Sequence, residues 1–144
     1  MTAVTQTIDL TVFAADVDNA FAEGTPCVMA TADDDGQPDL ALKGSVMVFD
    51  KDHLAYLERS HGASVENLKR NPRVAILYRN SSKGVSMRRF FGVAEAYQTG
   101  QLRDEIRARS VAKEVEKDPD NVGVGVLIRI DRVVDGRSEV LQQR

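Results

Sequence analysis

Arg59, Ser60, Gly62 and Ser64 fall within six residues, directly ahead of a short helical pattern that stops at Asn71-Pro72. Together these residue types suit anion binding. Arginine supplies a charged fork, the serines supply hydroxyl donors, and glycine lets a ligand approach the backbone. A helix start adds free N–H groups and partial positive charge. A plainer reading of the same residues stays open. Ser64 caps the helix, with Asn67 three residues on, and the preceding segment is only a loop.

Other candidate chemistry is weaker. The two histidines, His53 and His61, lack partners at metal-ligand spacing, so no metal site is expected. Cys27 lies in an apolar run and reads as a small core residue. Asp33–Asp35 reads as a solvated turn rather than a calcium loop. Neither a Ser/His/Asp order nor a Walker loop is present. Lys69 and Arg70 close a helix, where cations complement the dipole. Arg88 and Arg89 are adjacent in an extended run and must point to opposite faces, which argues against a basic stripe for nucleic acid.

The elements that would position the loop follow from periodicity. A first helix is expected over about 10–23, capped near Asp9 or Thr11, with Phe13, Val17, Ala20 and Phe21 on one face. Strands follow at "CVMATA", "QPDLALKG", "SVMVF", "LAYLE", "RVAILYR" and "VSMRRFFGVAEAY", the first pair joined by a turn at Asp35-Gly36. A second long helix is expected over about 101–117, stopped by Asp118-Pro119. "VGVGVLIRIDRVV" is the last strand, and the tail after it reads as an edge extension or a frayed end. Six or seven strands with hairpin turns and few helices imply a mainly β, single-domain chain built on an antiparallel closed or split barrel.

Composition bounds the function. A chain of 144 residues with 42% hydrophobic residues is one ordinary domain with a real core. A net charge of −3 argues against bulk nucleic-acid binding. The single cysteine cannot form an internal disulfide, which suits a reducing cytoplasm. The N-terminus does not read as a signal peptide, and no apolar run is long enough to span a bilayer, so no membrane partner is expected. Apolar strands such as "VGVGVLIRI" and "RVAILY" offer more hydrophobic faces than one interior uses, which points to a two-fold homodimer.

The stretch "KGSVMVFDKDHLAYLERSHGASVENLKRNPRVAILYRN" resembles the pyridoxamine 5′-phosphate oxidase-like family of FMN-binding split barrels, with "FD", "NL" and "NPRVAILY" matching in order; the likeness extends over roughly Thr25 to Val133. The resemblance implies a homodimer with the cofactor at the subunit interface. It places the flavin ring along Lys43, Gly44, Ser45, Val46 and Met47, and sets Leu57 and Glu58 beside the ring or ribityl chain. The phosphate would lie at Arg59, Ser60, Ala63 and Ser64, with Arg88 or Arg89 as a further basic contact. Ala63 stands where many relatives carry Lys. The implied activity is FMN-dependent oxidation or reduction of a small molecule, with no catalytic side chain named. The alternative is a non-catalytic module holding FMN, a deazaflavin or haem. Vitamin B6 oxidation is not expected, because the chain has no Trp and its tail offers only Arg137 and Arg144 to clamp a second phosphate.

Overall fold

In the computed structural model of the chain, residues 6–60 and 62–144 are described. His61, and with it half of the histidine pair, lies outside them.

Alternation of small and apolar residues makes β1 (Cys27–Ala32), which buries Cys27, Met29 and Thr31 on one face. The turn after it is organised by Asp33, whose Oδ1 accepts from the N–H groups of Asp35 and Gln37 at 2.9 Å each. β2 (Pro38–Lys43) returns antiparallel, with Cys27 opposite Lys43. Next come β3 (Met47–Val48), β4 (His53–Glu58), β5 (Arg73–Asn80), β6 (Val85–Tyr97), β7 (Val124–Asp135) and β8 (Val140–Gln143). Their order in the sheet is β2-β1-β5-β6-β7-β4-β3, with β8 on the free run of β7, and every neighbour is antiparallel. The sheet curls into a split barrel around Leu54, Tyr56, Ile76, Tyr78, Phe90, Val126, Ile128 and Ile130. A register shift at Phe91/Gly92 bends β6. A side chain at Gly92 would overlap the Arg129 carbonyl, so the bend depends on glycine there.

Among the described residues, four α-helices flank the barrel: α1 (Ala14–Val17), α2 (Ala63–Arg70), α3 (Gln101–Arg109) and α4 (Ala112–Glu116). α3 packs outside β4 and β7, where Ile106 and Leu102 meet Met47, Ala55 and Leu127. None of these helices is long and apolar enough to cross a membrane.

Three expectations are corrected. The first helix does not run over 10–23: a 3-10 turn at Leu10–Phe13 leads into α1, which ends at Val17. There Asp18 turns its carboxylate to the Val48 N–H at 2.8 Å, and the chain continues in turns to Gly24. The helix expected over 101–117 is broken, because Ser110 and Val111 are extended. The Ser110 hydroxyl donates to the Ile106 carbonyl at 2.8 Å and so caps α3 from within. Ser64 is not a cap: α2 starts at Ala63 behind Gly62, with no side chain capping its first turn. The tail takes the first of its two expected forms, pairing with β7 as β8 and bringing the sheet to eight strands.

Candidate functional site

The turn after β2 and the end of β4 face each other across the split in the barrel. Between them lies a solvent-open cleft of about 150 Å³. Lys43 and Gly44 line one side, and Leu57, Glu58, Arg59 and Ser60 line the other. These are six of the residues expected from sequence to hold a cofactor, brought together from two segments. Ser45 locks the two walls in register, since its hydroxyl accepts from the Leu57 N–H at 2.9 Å and donates to the Leu57 carbonyl at 3.2 Å. Val46 and Met47 lie deeper, beside a second recess shared with Asp18, Arg109 and Val111.

The remaining candidates sit elsewhere. Ser64 is buried in the first turn of α2, and neither it nor Ala63 lines the cleft. Arg88 donates to its neighbour's carbonyl, Met87 O, at 2.9 Å. Arg89 reaches Ser138 Oγ at 3.0 Å and approaches the Phe91 ring. Neither arginine lines the cleft.

The cleft is built from matched charges. Lys43 Nζ lies 2.7 Å from Glu58 Oε2, both side chains under a tenth exposed. Ser60 Oγ donates to the other oxygen of Glu58 at 3.0 Å. Arg59 Nε donates to Glu114 Oε2 at 2.6 Å. Lys117 Nζ stands 3.7 Å from Glu114 Oε1. Lys43 also lies over the Tyr56 ring, 5.4 Å from its centre. Burial pushes the Tyr56 phenol well above its usual range, so it stays neutral. Cys27 is no nucleophile either, its thiol pushed up to about 12 by burial. Among the described residues, the cleft therefore offers binding and electrostatic positioning rather than an uncommitted acid, base or nucleophile.

Glu114 escaped sequence reasoning. It lies 55 positions from Arg59, in the span that reads as the end of one long helix. One signal was present: Gly44 lacks the side chain that would overlap the Glu114 carboxylate. Asp118, expected only as a helix stop, also holds the turn into β7, its carboxylate accepting from the N–H groups of Val122 at 3.0 Å and Gly123 at 2.9 Å. Arg103 braces that turn from α3 through Gly123 O and Asn121 O.

Other candidate groups have structural partners. His53 Nδ1 lies 2.8 Å from Asp50 Oδ1. Asp34 faces Arg70 at 3.4 Å, while Asp33 is occupied by its own turn.

The fit to a phosphorylated cofactor can be tested on these contacts. The donors that line the cleft suit a phosphate: Arg59, the Ser60 hydroxyl and Lys43. The Glu114 carboxylate on Arg59 does not suit a second anion at the same fork. The donor set fits the anion, and the Glu114 carboxylate beside Arg59 opposes it.

Among solved structures, similar folds recur. An FMN-binding protein from Syntrophomonas wolfei superposes with a TM-score of 0.69 at 13% identity, covering 88% of this chain and 87% of its own. HutZ, the heme storage protein from Vibrio cholerae, gives 0.63 at 15% identity, covering 81% and 90%. An F420 reductase gives 0.58 at 16% identity, covering 83% and 93%. At these identities the likeness is one of fold. No curated protein matches the sequence. Residues 13–133, most of the chain, match the family described as pyridoxamine 5′-phosphate oxidase, and the chain belongs to that family.

Proposed function

We propose that the chain binds FMN in this cleft and acts as a flavin-dependent oxidoreductase on a small molecule other than a vitamin B6 phosphate. The observation that carries the reading is the convergence of Lys43 and Gly44 with Leu57, Glu58, Arg59 and Ser60 on one cleft. In this reading the 43–47 segment lies along the ring, and Leu57 and Glu58 flank the ring or ribityl chain. Arg59 and Ser60 hold the phosphate, with the start of α2 at Ala63 and Ser64 close by in sequence but outside the cleft lining. The bound flavin supplies hydride chemistry, and the protein supplies orientation and electrostatics.

A second copy completes the site. The outward face of β2 leaves Leu40 and Leu42 about 70% exposed, beside the half-buried Val28 and Ala30 of β1. This bare apolar sheet face suits two-fold pairing. Contact from Arg88 or Arg89 to a cofactor requires that second copy, since neither lines its own cleft. Arg144 is tied to Asp52 at 3.1 Å and to Ile130 O at 3.0 Å, which leaves it unsuited to clamping a substrate phosphate.

Titration of the apoprotein with FMN, followed by flavin absorbance and fluorescence, is expected to saturate. No saturable change up to millimolar FMN overturns the reading, and a response to deazaflavin or haem instead favours a cofactor-carrying module. Sedimentation of a monomer of 15.8 kDa with FMN still bound overturns the shared site. Robust turnover of pyridoxamine 5′-phosphate overturns the substrate exclusion.

A further inference from the structure

α4 is held to the barrel in an unusual way. It is five residues long, and its one buried side chain is a carboxylate, Glu114. A helix this short has little stability of its own. It hangs between the extended pair Ser110–Val111 and the turn at Asp118. Glu114 is 6% exposed and lies flush on the Gly44 backbone beside Phe21, while its partner Arg59 is 38% exposed. Glu58, the other carboxylate of the cleft, has Lys43 and Ser60 and makes no demand on Arg59.

We infer that the Arg59–Glu114 pair is an anion-exchange latch: Glu114 occupies Arg59 until the phosphate of a phosphate monoester replaces it, and α4 is released when it does. The inference rests on the proposed cofactor cleft and adds how that cleft opens. A dianionic phosphate and the Glu114 carboxylate repel each other at one guanidinium, so only one of them holds it. The exchange costs little on the Arg59 side, because one charge-assisted contact replaces another. Glu114 leaves for water, where its charge is solvated. The closed state lowers apparent affinity by the fraction of molecules that are open. The latch thus lowers affinity for ligands with a phosphate and leaves that for the same ligands without one unchanged.

The experiment compares wild type, Glu114→Gln, Arg59→Ala and the double variant, with FMN, riboflavin and inorganic phosphate as probes. Amide hydrogen exchange of residues 110–117 is followed in parallel. Glu114→Gln is expected to bind FMN about tenfold more tightly than wild type, as for a closed state populated roughly nine times in ten. Riboflavin affinity stays unchanged by Glu114→Gln. The gain vanishes in the Arg59→Ala background. In wild type, FMN speeds exchange in 110–117, and Glu114→Gln shows that faster exchange without ligand. Glu114→Ala, which removes the polar group entirely, moves both readouts the same way. Saturable FMN binding with equal or weaker affinity for Glu114→Gln overturns the latch and leaves the cofactor reading standing. FMN binding to neither protein overturns the cofactor reading. Inorganic phosphate then decides the latch: tighter binding by Glu114→Gln, lost with Arg59→Ala, supports it, and equal binding overturns it.

Discussion

From β2 round to β3 the wall of the barrel is joined edge to edge by backbone hydrogen bonds over an apolar interior, whereas across the split it is joined by side-chain charges. Tyr56, Phe90 and Ile128 on the first side are fully buried among other apolar groups. Lys43 and Glu58 on the second side are nearly as buried, yet they are ions. Stability on the first side scales with apolar area removed from water. On the second it depends on charge balance, since taking an ion from water costs several kcal/mol, recovered only through its partner. The contrast also separates roles. An interior of packed hydrocarbon has no reason to open, while a seam held by exchangeable charges can admit another charged group in place of one of its own.

The largest effect is expected where one member of the buried pair is removed. Lys43→Met leaves Glu58 with only the Ser60 hydroxyl in a buried place. The expected loss is about 3–5 kcal/mol in urea unfolding at neutral pH. Replacing both, as Lys43→Met with Glu58→Met, is expected to recover most of that loss, because an apolar pair removes the desolvation cost along with the attraction. A single variant as stable as wild type would show that the seam does not depend on this pair, and would erase the contrast between the two sides.

A second test lies at the turn that leads α4 into β7. Burial alone would push the Asp118 carboxyl up. The N–H groups of Val122 and Gly123, with the charges of Arg107 and Arg103, outweigh it and hold the group below its ordinary value of 3.8. A folded-state value below the unfolded one means the ionised form stabilises the fold. That contribution is complete above about pH 4 and fades as pH falls through the lower folded-state value. Asp118→Asn is expected to cost about 1.5–3 kcal/mol at pH 7, the range for hydrogen bonds to a charged group. The gap to wild type should hold down to about pH 4 and then narrow with acid. A gap that is constant with pH would mean that Asp118 acts by shape and not by charge.

The same division governs what the sequence makes legible. β1, β4, β5, β6 and β7 are readable because apolar alternation is a local signal, and the hairpin at Asp33–Gly36 carries its own turn residues. The resemblance of the 43–80 stretch put Lys43, Gly44, Leu57, Glu58, Arg59 and Ser60 at one site, and the structure does gather these on one cleft. What escaped depends on long-range partners. α1 ends early because Asp18 serves Val48, thirty positions away. The break at Ser110–Val111 lies within a pattern that reads as one helix, and only the folded chain shows Ser110 closing α3. Glu114 reads as part of the end of one long helix until Arg59 and Gly44 are placed against it. Leu40 and Leu42 alternate as a buried strand should, yet they face outward, which a pattern of period two cannot tell from facing inward.

The smallest effect is expected from a conservative change on the hydrocarbon side, and its value lies in what stays constant. Ile128 is fully buried on β7, opposite Leu54 of β4 and Ala94 of β6. Ile128→Val removes one methyl group from this interior and leaves a small cavity, at an expected cost of about 0.5–1.5 kcal/mol. Nothing in that cost involves charge. The loss in urea unfolding should therefore be the same at pH 7 and pH 4, and the same with and without added salt, unlike the losses at Lys43 and Asp118. FMN affinity should stay at the wild-type value, because the altered side chain faces the packed interior and not the cleft. A loss that varies with pH or salt would mean that the interior and the charged seam are coupled. A change in FMN affinity would mean that packing inside the barrel sets the position of the cleft walls, so that the two sides act as one.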